Sequence, residues 1–432
     1  MTSWQVGTAS ALFPIAVGTP LAGYMARTGS SLGTLDDLSV GALVLSQGQD
    51  RLALVTVDLV AVDVDLASEV TAAAGLNPGD LALCASHTHS GPAGIIPRLH
   101  PAEPVGLNPD LRARFVATCA SVVSEASACQ EAVDLLFGAS ATQDIAANRN
   151  DPTGPYDDRV SVLAARCPRG RLVAILVHFA CHPTVLRATN RFVSADFPAF
   201  LRQELAEKLA AQGQQPQVSF VNGAAGDVST RFTRLGQDAA EVARIGEQVA
   251  AAGMVALQHA APVQGPLQRR QVGIPLRRRS EDDLDTGLLC SGVKVPASNG
   301  RPEAQDRWVE TQAQGARLLA GLRAADVSAV PAALNLHAWL LGNVAILPVP
   351  GELFASLGQD ICAAAPLPTL VFGYTNGYVG YLPDTPAFDA KTYEALASPY
   401  PPGTGEQVVE VADTLLRALT EEKGHPHVMV TR

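Results

Sequence analysis

The sequence lacks the features of several common classes of protein. Its seven cysteines are scattered and form no C-x-x-C pair, which argues against a cysteine zinc site or a thioredoxin-type motif. No apolar run approaches the roughly 18 residues of a membrane-spanning helix. No Lys or Arg precedes Arg27, and Pro14 and Pro20 interrupt the apolar residues there, which does not fit a signal peptide. We therefore expect a cytoplasmic protein without a transmembrane segment.

Positive charge is scarce as well. Lys and Arg total 31 against 42 Asp and Glu, so the formal net charge is −11. An acidic surface repels phosphate backbones, and nucleic acid is therefore not an expected partner. The one basic run, Arg277–Arg279, is followed at once by Glu281 and Asp282, which indicates a solvated loop that compensates its own charge.

Common catalytic and nucleotide-binding motifs are missing too. The chain has no G-x-S-x-G, no G-x-x-x-x-G-K-[ST] and no H-E-x-x-H. Gly403-Thr404-Gly405 lacks the third glycine of a dinucleotide fingerprint and follows a loop. These absences argue against the commonest hydrolase, P-loop, zincin and Rossmann classes.

Regular alternation of strand and helix patterns runs through the 432 residues, of which 47% are apolar and 17% charged. The pattern predicts an α/β fold with a mixed β-sheet core flanked by helices, in one domain over residues 1–432. Polar stretches at 280–303 and 376–405 are predicted loops. The predicted strands are Val40–Leu45, Leu52–Val57, Asp80–Ala85, Val133–Phe137, Val160–Ala165, Leu172–Phe179, Val218–Asn222, Gln268–Leu276, Ala333–Leu340, Val344–Pro348, Thr369–Tyr374 and an edge strand His427–Val430. The predicted helices are Asp65–Ala74, Pro109–Cys129, Pro198–Gln212, Asp238–Leu257, Asp306–Ala324, Glu352–Ala363 and Gln407–Glu421.

Polar groups follow four of the predicted strands. His87 and His89 come directly after Asp80–Ala85, and His182 follows the predicted strand Leu172–Phe179, which contains His178. A glycine-rich turn leads to Ser229, and Glu352 opens a predicted helix. The carboxyl ends of strands are where α/β proteins build their sites. Imidazole and carboxylate ligands suit zinc, so the joint pattern predicts a metal site at these strand ends.

Each of these features also has a plainer interpretation. The two histidines of the H-x-H pair could make surface hydrogen bonds in a loop. His178 and Cys181 fit core packing better than metal binding. The glycines before Ser229 could serve only a turn, and Glu352 could only complement a helix dipole.

Nine short motifs resemble the N-terminal catalytic domain of the neutral/alkaline non-lysosomal ceramidase family. Each motif alone is weak, but their order and spacing over most of the chain are specific. The motifs are Gly23–Arg27, His87–Pro92, Ala147–Arg149, Cys181–Thr184, Ser194–Asp196, Gly226–Ser229, Pro350–Glu352, Asn376–Tyr381 and Tyr393–Glu394.

The resemblance implies a site and a cofactor. Members of the family bind one zinc ion per chain. The resemblance implies that four residues of this chain are its ligands: His87, His182, Glu352 and Tyr381. Tyr381 matches better than Tyr378 because the family's second functional tyrosine follows about twelve residues later, where Tyr393 stands. The resemblance also implies that His89, Arg149 and Tyr393 line the reacting centre. Asp227 would orient a donor or hold its turn, and Ser229 matches the serine of the Gly-Asp-Val-Ser motif.

The implied function is a zinc-dependent amidohydrolase that acts on an N-acyl or other small amide, with ceramide and sphingolipid metabolism as one possibility. Thr230-Arg231 stands where the family has Pro-Asn, and Asn150-Asp151 where it has Ser-Pro, so the substrate loops are expected to differ. The family's C-terminal immunoglobulin-like domain is not expected here. Two alternatives stay open, a serine hydrolase that uses Ser229 and a non-catalytic, metal-stabilised binding protein.

Overall fold

The computed structural model describes residues 3–280, 283 and 302–421. Most of the predicted loop 280–303 and the predicted edge strand His427–Val430 lie outside these residues. The helices are α1 (Val64–Ala73), α2 (Pro109–Ala128), α3 (Phe197–Ala210), α4 (Ala239–Gln258), α5 (Pro302–Leu322), α6 (Ala355–Ala364), α7 (Thr385–Asp389), α8 (Tyr393–Ala397) and α9 (Thr404–Glu421).

The strands range from two to eleven residues. They are β1 (Trp4–Leu12), β2 (Gly33–Thr34), β3 (Ser39–Gln47), β4 (Asp50–Val57), β5 (Leu81–Ala85), β6 (Arg98–His100), β7 (Glu103–Pro104), β8 (Glu131–Ala141), β9 (Ala147–Asn148), β10 (Arg159–Arg166), β11 (Leu172–Phe179), β12 (Phe192–Val193), β13 (Gln217–Asn222), β14 (Val228–Ser229), β15 (Ala261–Pro262), β16 (Leu267–Pro275), β17 (Ala333–Leu341), β18 (Val344–Pro348), β19 (Glu352–Leu353), β20 (Thr369–Phe372) and β21 (Tyr381–Leu382).

Two mixed sheets form the centre of the molecule. The larger has the strand order β13-β11-β10-β8-β1-β3-β4-β5, with β15 beside β8. Its β11–β13 and β4–β5 pairs are parallel, and its other pairs are antiparallel. The smaller sheet has the order β16-β17-β18-β20, and its β18–β20 pair is parallel. The predicted α/β fold with a mixed sheet is therefore confirmed.

Alternate side chains of the strands define four layers. On β3, Ala42 and Val44 face α1 to α4, whereas Leu43 and Leu45 belong to a second cluster with Trp339 and Ile346 of the smaller sheet. The opposite face of the smaller sheet packs against α6 and α9. Because successive side chains of a strand point to opposite faces, both faces of each sheet can be buried. The order of layers is helix, sheet, sheet, helix.

Helix starts follow local capping chemistry. The side chains of Asp63, Asn108 and Asp238 each accept a hydrogen bond from a backbone N–H in the first turn of α1, α2 and α4. Pro109 occupies the first position of α2, where a missing N–H costs nothing. These three helices begin within about a residue of their predicted starts.

Three expectations for the local structure were wrong. The sequence did not predict β1, although it lies between β8 and β3 in the larger sheet. Its glycine and alanines carry little β propensity, and pairing on both edges overrides that weak signal.

Glu352 lies in β19 rather than in a helix, and α6 begins at Ala355. The predicted loop 376–405 contains β21, α7 and α8, which are too short to show a period.

In the part of the chain that the structure describes, no helix combines the length and the apolar character needed to cross a bilayer.

Candidate metal centre and its cavity

Asn222, the last residue of β13, brings two strand ends together. Its side-chain amide donates to the carbonyl oxygens of Ser86 at 3.1 Å and Cys181 at 3.0 Å. Its Oδ1 accepts the Cys181 N–H at 3.1 Å. Although β13 and β5 lie at opposite ends of the strand order, this amide joins the loop after β5 to the loop after β11. The histidines of both loops therefore meet at one place.

Backbone carbonyls select the tautomers of two buried histidines. The Nδ1 atom of His87 lies 2.6 Å from the carbonyl oxygen of Val60, and that of His182 lies 2.7 Å from the oxygen of Ala225. A carbonyl oxygen can only accept, so each Nδ1 carries a proton, and in the tautomer that this selects the lone pair lies at Nε2. Burial, reinforced by Arg149, lowers the pKa of His182 to about 3, which keeps this ring neutral.

These two Nε2 atoms face one carboxylate oxygen. Glu352 Oε2 lies 3.4 Å from His87 Nε2 and 3.1 Å from His182 Nε2. Both His182 Nε2 and Glu352 Oε2 are fully buried and make no hydrogen bond. Three acceptors that face each other without a proton repel each other, and a cation between them relieves that repulsion. The donor set therefore fits a divalent metal ion.

His89 is the third histidine of the cluster. Its Nε2 lies 3.3 Å from that of His87, and one ring nitrogen from each of His87, His89 and His182 falls within 4.8 Å of the others. Burial lowers its pKa well below the usual range, with further lowering from His87 and His182, so the ring is neutral. Its Nδ1 is buried without a hydrogen bond.

Arg149 links the second half of the chain to the cluster. Its Nε donates to Glu394 at 2.6 Å, and its Nη2 donates to the Gly226 carbonyl at 2.9 Å and to the Tyr381 hydroxyl at 3.1 Å. The Tyr393 ring packs edge-on against Tyr381, with centroids 5.6 Å apart. Burial raises the pKa of both tyrosines, so their hydroxyls keep the proton and can donate it.

The two candidate tyrosine ligands differ in their contacts. The Tyr378 hydroxyl makes a short hydrogen bond to Glu352 Oε1. The Tyr381 backbone pairs in register with Glu352 through β19 and β21, while its hydroxyl contacts Arg149. Both side chains line the cavity described below.

Asp227 and Ser229 differ in where they lie. Asp227 Oδ1 accepts the Ala355 N–H at 2.8 Å, and its Oδ2 accepts the Asn148 amide at 2.6 Å, so this carboxylate joins the first turn of α6 to β9. Ser229 lies beside the cavity, and its Oγ accepts the Arg231 N–H at 3.3 Å.

Two glycines permit close approaches at this centre. A Cβ on Gly226 would lie 2.4 Å from the Glu352 carbonyl oxygen. A Cβ on Gly23, whose φ is +97°, would lie 2.6 Å from Cγ of His89. A larger residue would displace the Glu352 backbone at the first position and the His89 side chain at the second.

A cavity of about 1640 Å³ opens beside the cluster, and His87, His89, Glu352, Arg149 and Tyr393 line it. The structure brings the predicted site residues together around this cavity, apart from His182 and Asp227, which lie just behind its wall. Sequence reasoning missed Tyr374, whose fully buried ring stacks on His87 with centroids 3.9 Å apart. The one feature of the sequence that could have indicated Tyr374 is its position as the last residue of the predicted strand Thr369–Tyr374.

The fold and the site define a class, namely an α/β protein with a buried imidazole–carboxylate cluster suited to a divalent metal. The family model described as neutral/alkaline non-lysosomal ceramidase, N-terminal, matches residues 14–242. The chain belongs to this family. The resemblance seen in the motifs is thereby confirmed.

Two solved structures share the fold. The neutral ceramidase from Pseudomonas aeruginosa superposes with a TM-score of 0.79 at 18% identity, covering 100% of this chain and 77% of that one. A structure described as ceramidase complexed with C2 gives a TM-score of 0.78, also at 18% identity, with the same coverage of 100% and 77%. No curated protein sequence matches the chain.

Proposed function

We propose that this protein is a zinc-dependent amidohydrolase that cleaves an N-acyl amide, with ceramide among the candidate substrates. The observation that carries the proposal is the convergence of His87 Nε2 and His182 Nε2 on Glu352 Oε2, with both Nδ1 protons committed to carbonyl oxygens. Membership of the ceramidase family supports the same reaction.

His87, His182 and Glu352 would hold the ion, with Tyr381 as the fourth ligand, and one zinc per chain is proposed. When bound there, zinc supplies Lewis acidity, which polarises a carbonyl group and acidifies water. The backbone carbonyls behind the two imidazoles hold the rings in the ligand tautomer. Tyr378 holds the second carboxylate oxygen of Glu352 and so fixes which oxygen faces the histidines.

His89 is proposed as the proton carrier. A neutral, half-buried imidazole in the cavity wall can accept a proton from the attacking water and return it to the leaving amine nitrogen. Arg149 and Tyr393 are proposed to donate hydrogen bonds to the oxygen that gains negative charge in the transition state. One such donor contributes about 3–4 kcal/mol in comparable enzymes. Asp227 is proposed as a positioning residue, because its carboxylate contacts the strand that leads to Arg149.

We also propose that the chain acts as one catalytic unit. The histidines follow strands of the larger sheet, whereas Glu352 and the tyrosines come from segments attached to the smaller sheet. Neither half alone contains the complete set. The serine-hydrolase alternative remains a prediction that labelling of Ser229 by a fluorophosphonate probe would test.

The decisive experiment measures metal content by mass spectrometry on tag-free protein. We expect about one zinc per chain in the wild type. We also expect chelation to abolish hydrolysis of N-lauroyl amides, ceramide included, and zinc to restore it. His182→Ala should lose both zinc and activity.

The matched control is His178→Ala. It removes a second buried histidine near the end of β11, whose Nε2 contacts the Val371 carbonyl at 2.9 Å, away from the cluster. This variant should retain zinc. A wild-type protein that binds no zinc, or a His182→Ala variant that keeps it, would contradict the proposal.

A further inference from the structure

The side chain of Arg149 has five N–H groups, and neighbouring residues engage three of them. Its Nε donates to Glu394 Oε1 at 2.6 Å, and its Nη2 donates to the Gly226 carbonyl at 2.9 Å and to the Tyr381 hydroxyl at 3.1 Å. The remaining nitrogen, Nη1, makes no hydrogen bond to any residue that the structure describes. Because Arg149 is 7% exposed and lines the cavity, Nη1 is the nitrogen left to donate to a ligand there.

Aromatic rings and a backbone contact confine the same arginine. Its Cζ lies 5.6 Å from the centre of the Tyr381 ring and 6.0 Å from the centre of the Tyr393 ring. Its backbone N–H donates to the Asp227 carbonyl at 2.7 Å. Backbone and side chain are both held by the protein, so the direction of Nη1 is set before a ligand enters.

Glu394 contacts Arg149 from behind the cavity wall. Its side chain is 1% exposed, and it does not line the cavity. Its Oε1 accepts the Arg149 Nε–H, and its Oε2 accepts the Asn150 side-chain amide at 2.8 Å. Both carboxylate oxygens are therefore engaged, and Asn150 fixes the plane of the carboxylate. Glu394 does not touch a substrate in the cavity and can act on one only through Arg149.

The short helix α8 holds Glu394 in this place. It begins at Tyr393, and the Thr392 side chain caps its first turn. At the other end of α8, the Ser398 hydroxyl donates to the Tyr381 carbonyl at 3.0 Å. Two residues adjacent in sequence thus take different places, Tyr393 in the cavity wall and Glu394 behind it.

We propose that Glu394 is a positioning residue for the hydrolysis. It holds Arg149 so that Nη1 faces the substrate oxygen that gains negative charge, and Asn150 holds Glu394 in turn. This inference rests on the proposed amidohydrolase function. A donor that is already oriented stabilises a developing charge without having to reorganise during the reaction. An unsupported arginine side chain would lose rotational freedom at that moment, and the buried carboxylate removes this loss in advance.

A carboxylate at this place can act by its charge or by its reach, and two variants separate these effects. Glu394→Asp keeps the charge but withdraws the carboxylate by one methylene group. Glu394→Gln loses the charge but keeps the reach and an oxygen that accepts the Arg149 Nε–H, and the Asn150 amide can rotate to present its own oxygen. We expect kcat for N-lauroyl amides to fall about tenfold or more in Glu394→Asp and less than about threefold in Glu394→Gln, with KM and zinc content unchanged. Equal losses, or the reverse order, overturn the inference.

A double-mutant cycle decides whether Glu394 acts through Arg149. Arg149→Gln alone should lower kcat about 100-fold or more. In that background Glu394→Asp should lower kcat by less than about twofold, because the donor that it orients is gone. A purely structural role would slow both backgrounds by the same factor, and that result overturns the inference.

Melting temperatures verify that each variant is folded. If Glu394→Asp is unfolded, Asn150→Ala takes its place in the cycle, because it removes the support of Oε2 and leaves the ion pair intact. We then expect kcat to fall about threefold with Arg149 present and to stay unchanged with Arg149→Gln. An equal effect in the two backgrounds, or no effect in either, overturns the inference.

The matched control is Glu241→Asp. The Glu241 carboxylate is also buried and accepts an arginine Nε–H, that of Arg244 at 2.8 Å, but Arg244 does not line the cavity. The same shortening should leave kcat unchanged within about twofold. A tenfold fall in this variant as well would trace the effect to the general stability of the fold and would overturn the inference.

A failure of the proposed function is distinguishable. If no amide is cleaved, calorimetric titration with laurate, the carboxylate that hydrolysis of a lauroyl amide releases, still tests Nη1. We expect the Kd of laurate to rise about tenfold in Glu394→Asp and in Arg149→Gln, and no further when the two are combined. Glu394→Asp leaves the net charge unchanged, so its effect reports geometry. Laurate that does not bind, or that binds Glu394→Asp as tightly as the wild type, overturns the inference.

Discussion

At the scale of single residues, hydrogen bonds behind the functional groups decide how those groups act. The His87 ring is held between the Val60 carbonyl and the face of Tyr374. Glu352 has one oxygen on Tyr378 and the other toward the histidines. Such supporting contacts orient metal ligands, and their loss typically costs about 10–100-fold in metal affinity. Tyr374 and Tyr378, which follow β20, therefore support the proposed ligands His87 and Glu352.

A second support lies behind the His87-Thr88-His89 turn. Thr88 Oγ1 donates to the Ser194 carbonyl at 2.7 Å, and the Ser194 hydroxyl makes a short hydrogen bond to Asp36. Burial raises the pKa of Asp36 from an ordinary 3.8 to about 6, against the opposing effect of its Ser194 and Ala195 hydrogen bonds. This carboxyl group therefore binds its proton more tightly in the folded than in the unfolded chain.

We predict that Asp36 makes the folded state less stable as pH rises. A raised carboxyl pKa contributes stability that is present below the unfolded pKa and is lost as pH rises through the folded pKa, here between about 4 and 6. The free energy of unfolding of wild type relative to Asp36→Asn should fall across this window in urea titrations. Asp37→Asn, at the exposed neighbour, is the matched control. A difference that stays flat with pH would contradict the prediction.

At the scale of elements, two-residue strands align the site. The pair β19–β21 sets Glu352 beside Tyr381, and the pair β9–β14 sets Asn148 beside Val228. The turn from Gly223 to Asp227 leads directly into β14. Its Gly226 N–H donates to the Leu353 carbonyl at 2.9 Å, which brings the turn against the Glu352 backbone.

We predict that Gly226→Ala displaces Glu352. The added Cβ would lie 2.4 Å from the Glu352 carbonyl oxygen, a contact between two backbones that cannot rotate away. Overpacking of this kind costs about 1–3 kcal/mol of stability, and zinc content and amidase activity should both fall by about tenfold or more. Metal analysis and chemical denaturation measure the two effects.

Gly253→Ala is the control for this change. The new Cβ would meet Leu205 Cδ2 at 3.8 Å, an ordinary van der Waals contact between α4 and α3. Alanine in a helix interior is favoured over glycine by about 1 kcal/mol, so this variant should keep zinc and gain stability. A Gly226→Ala protein with full zinc and activity would show that the turn can move without the ligand.

At the scale of the whole molecule, one apolar cluster joins the two sheets. Leu43, Leu54 and Val221 of the larger sheet share it with Trp339 and Phe372 of the smaller. Because the ligand candidates are divided between segments attached to the two sheets, the site forms only when the sheets pack. Formation of the proposed metal centre and burial of this apolar cluster should therefore be coupled.

We predict that Trp339→Ala destabilises both sheets together. Trp339 is 1% exposed, and its Nε1 donates to the Gly79 carbonyl at 3.2 Å. Removing such a side chain costs about 3–5 kcal/mol. The denaturation midpoint from far-ultraviolet circular dichroism and the midpoint of zinc release should shift together. Two separated transitions would indicate that the sheets unfold independently.

Much of the local structure was predictable from the sequence. Helices α2 and α4 and strands β4, β5 and β11 agree closely with their periodic patterns, because caps and alternation act over a few residues. The strand β1 and the short elements after Tyr374 were not predictable, since long-range pairing rather than local preference forms them.

The sequence by itself determined which chemical groups the site would contain. Histidines and a glutamate at strand ends predict a metal site even when the order of the strands in the sheets is not known. Tertiary structure alone decided which atoms meet. His182 Nε2 and Glu352 Oε2 lie 3.1 Å apart although long stretches of chain separate them. The same holds for the contact of the Tyr378 hydroxyl with Glu352. The physical reason is that such contacts depend on the packing of two sheets, and no short-range pattern in a chain records that packing.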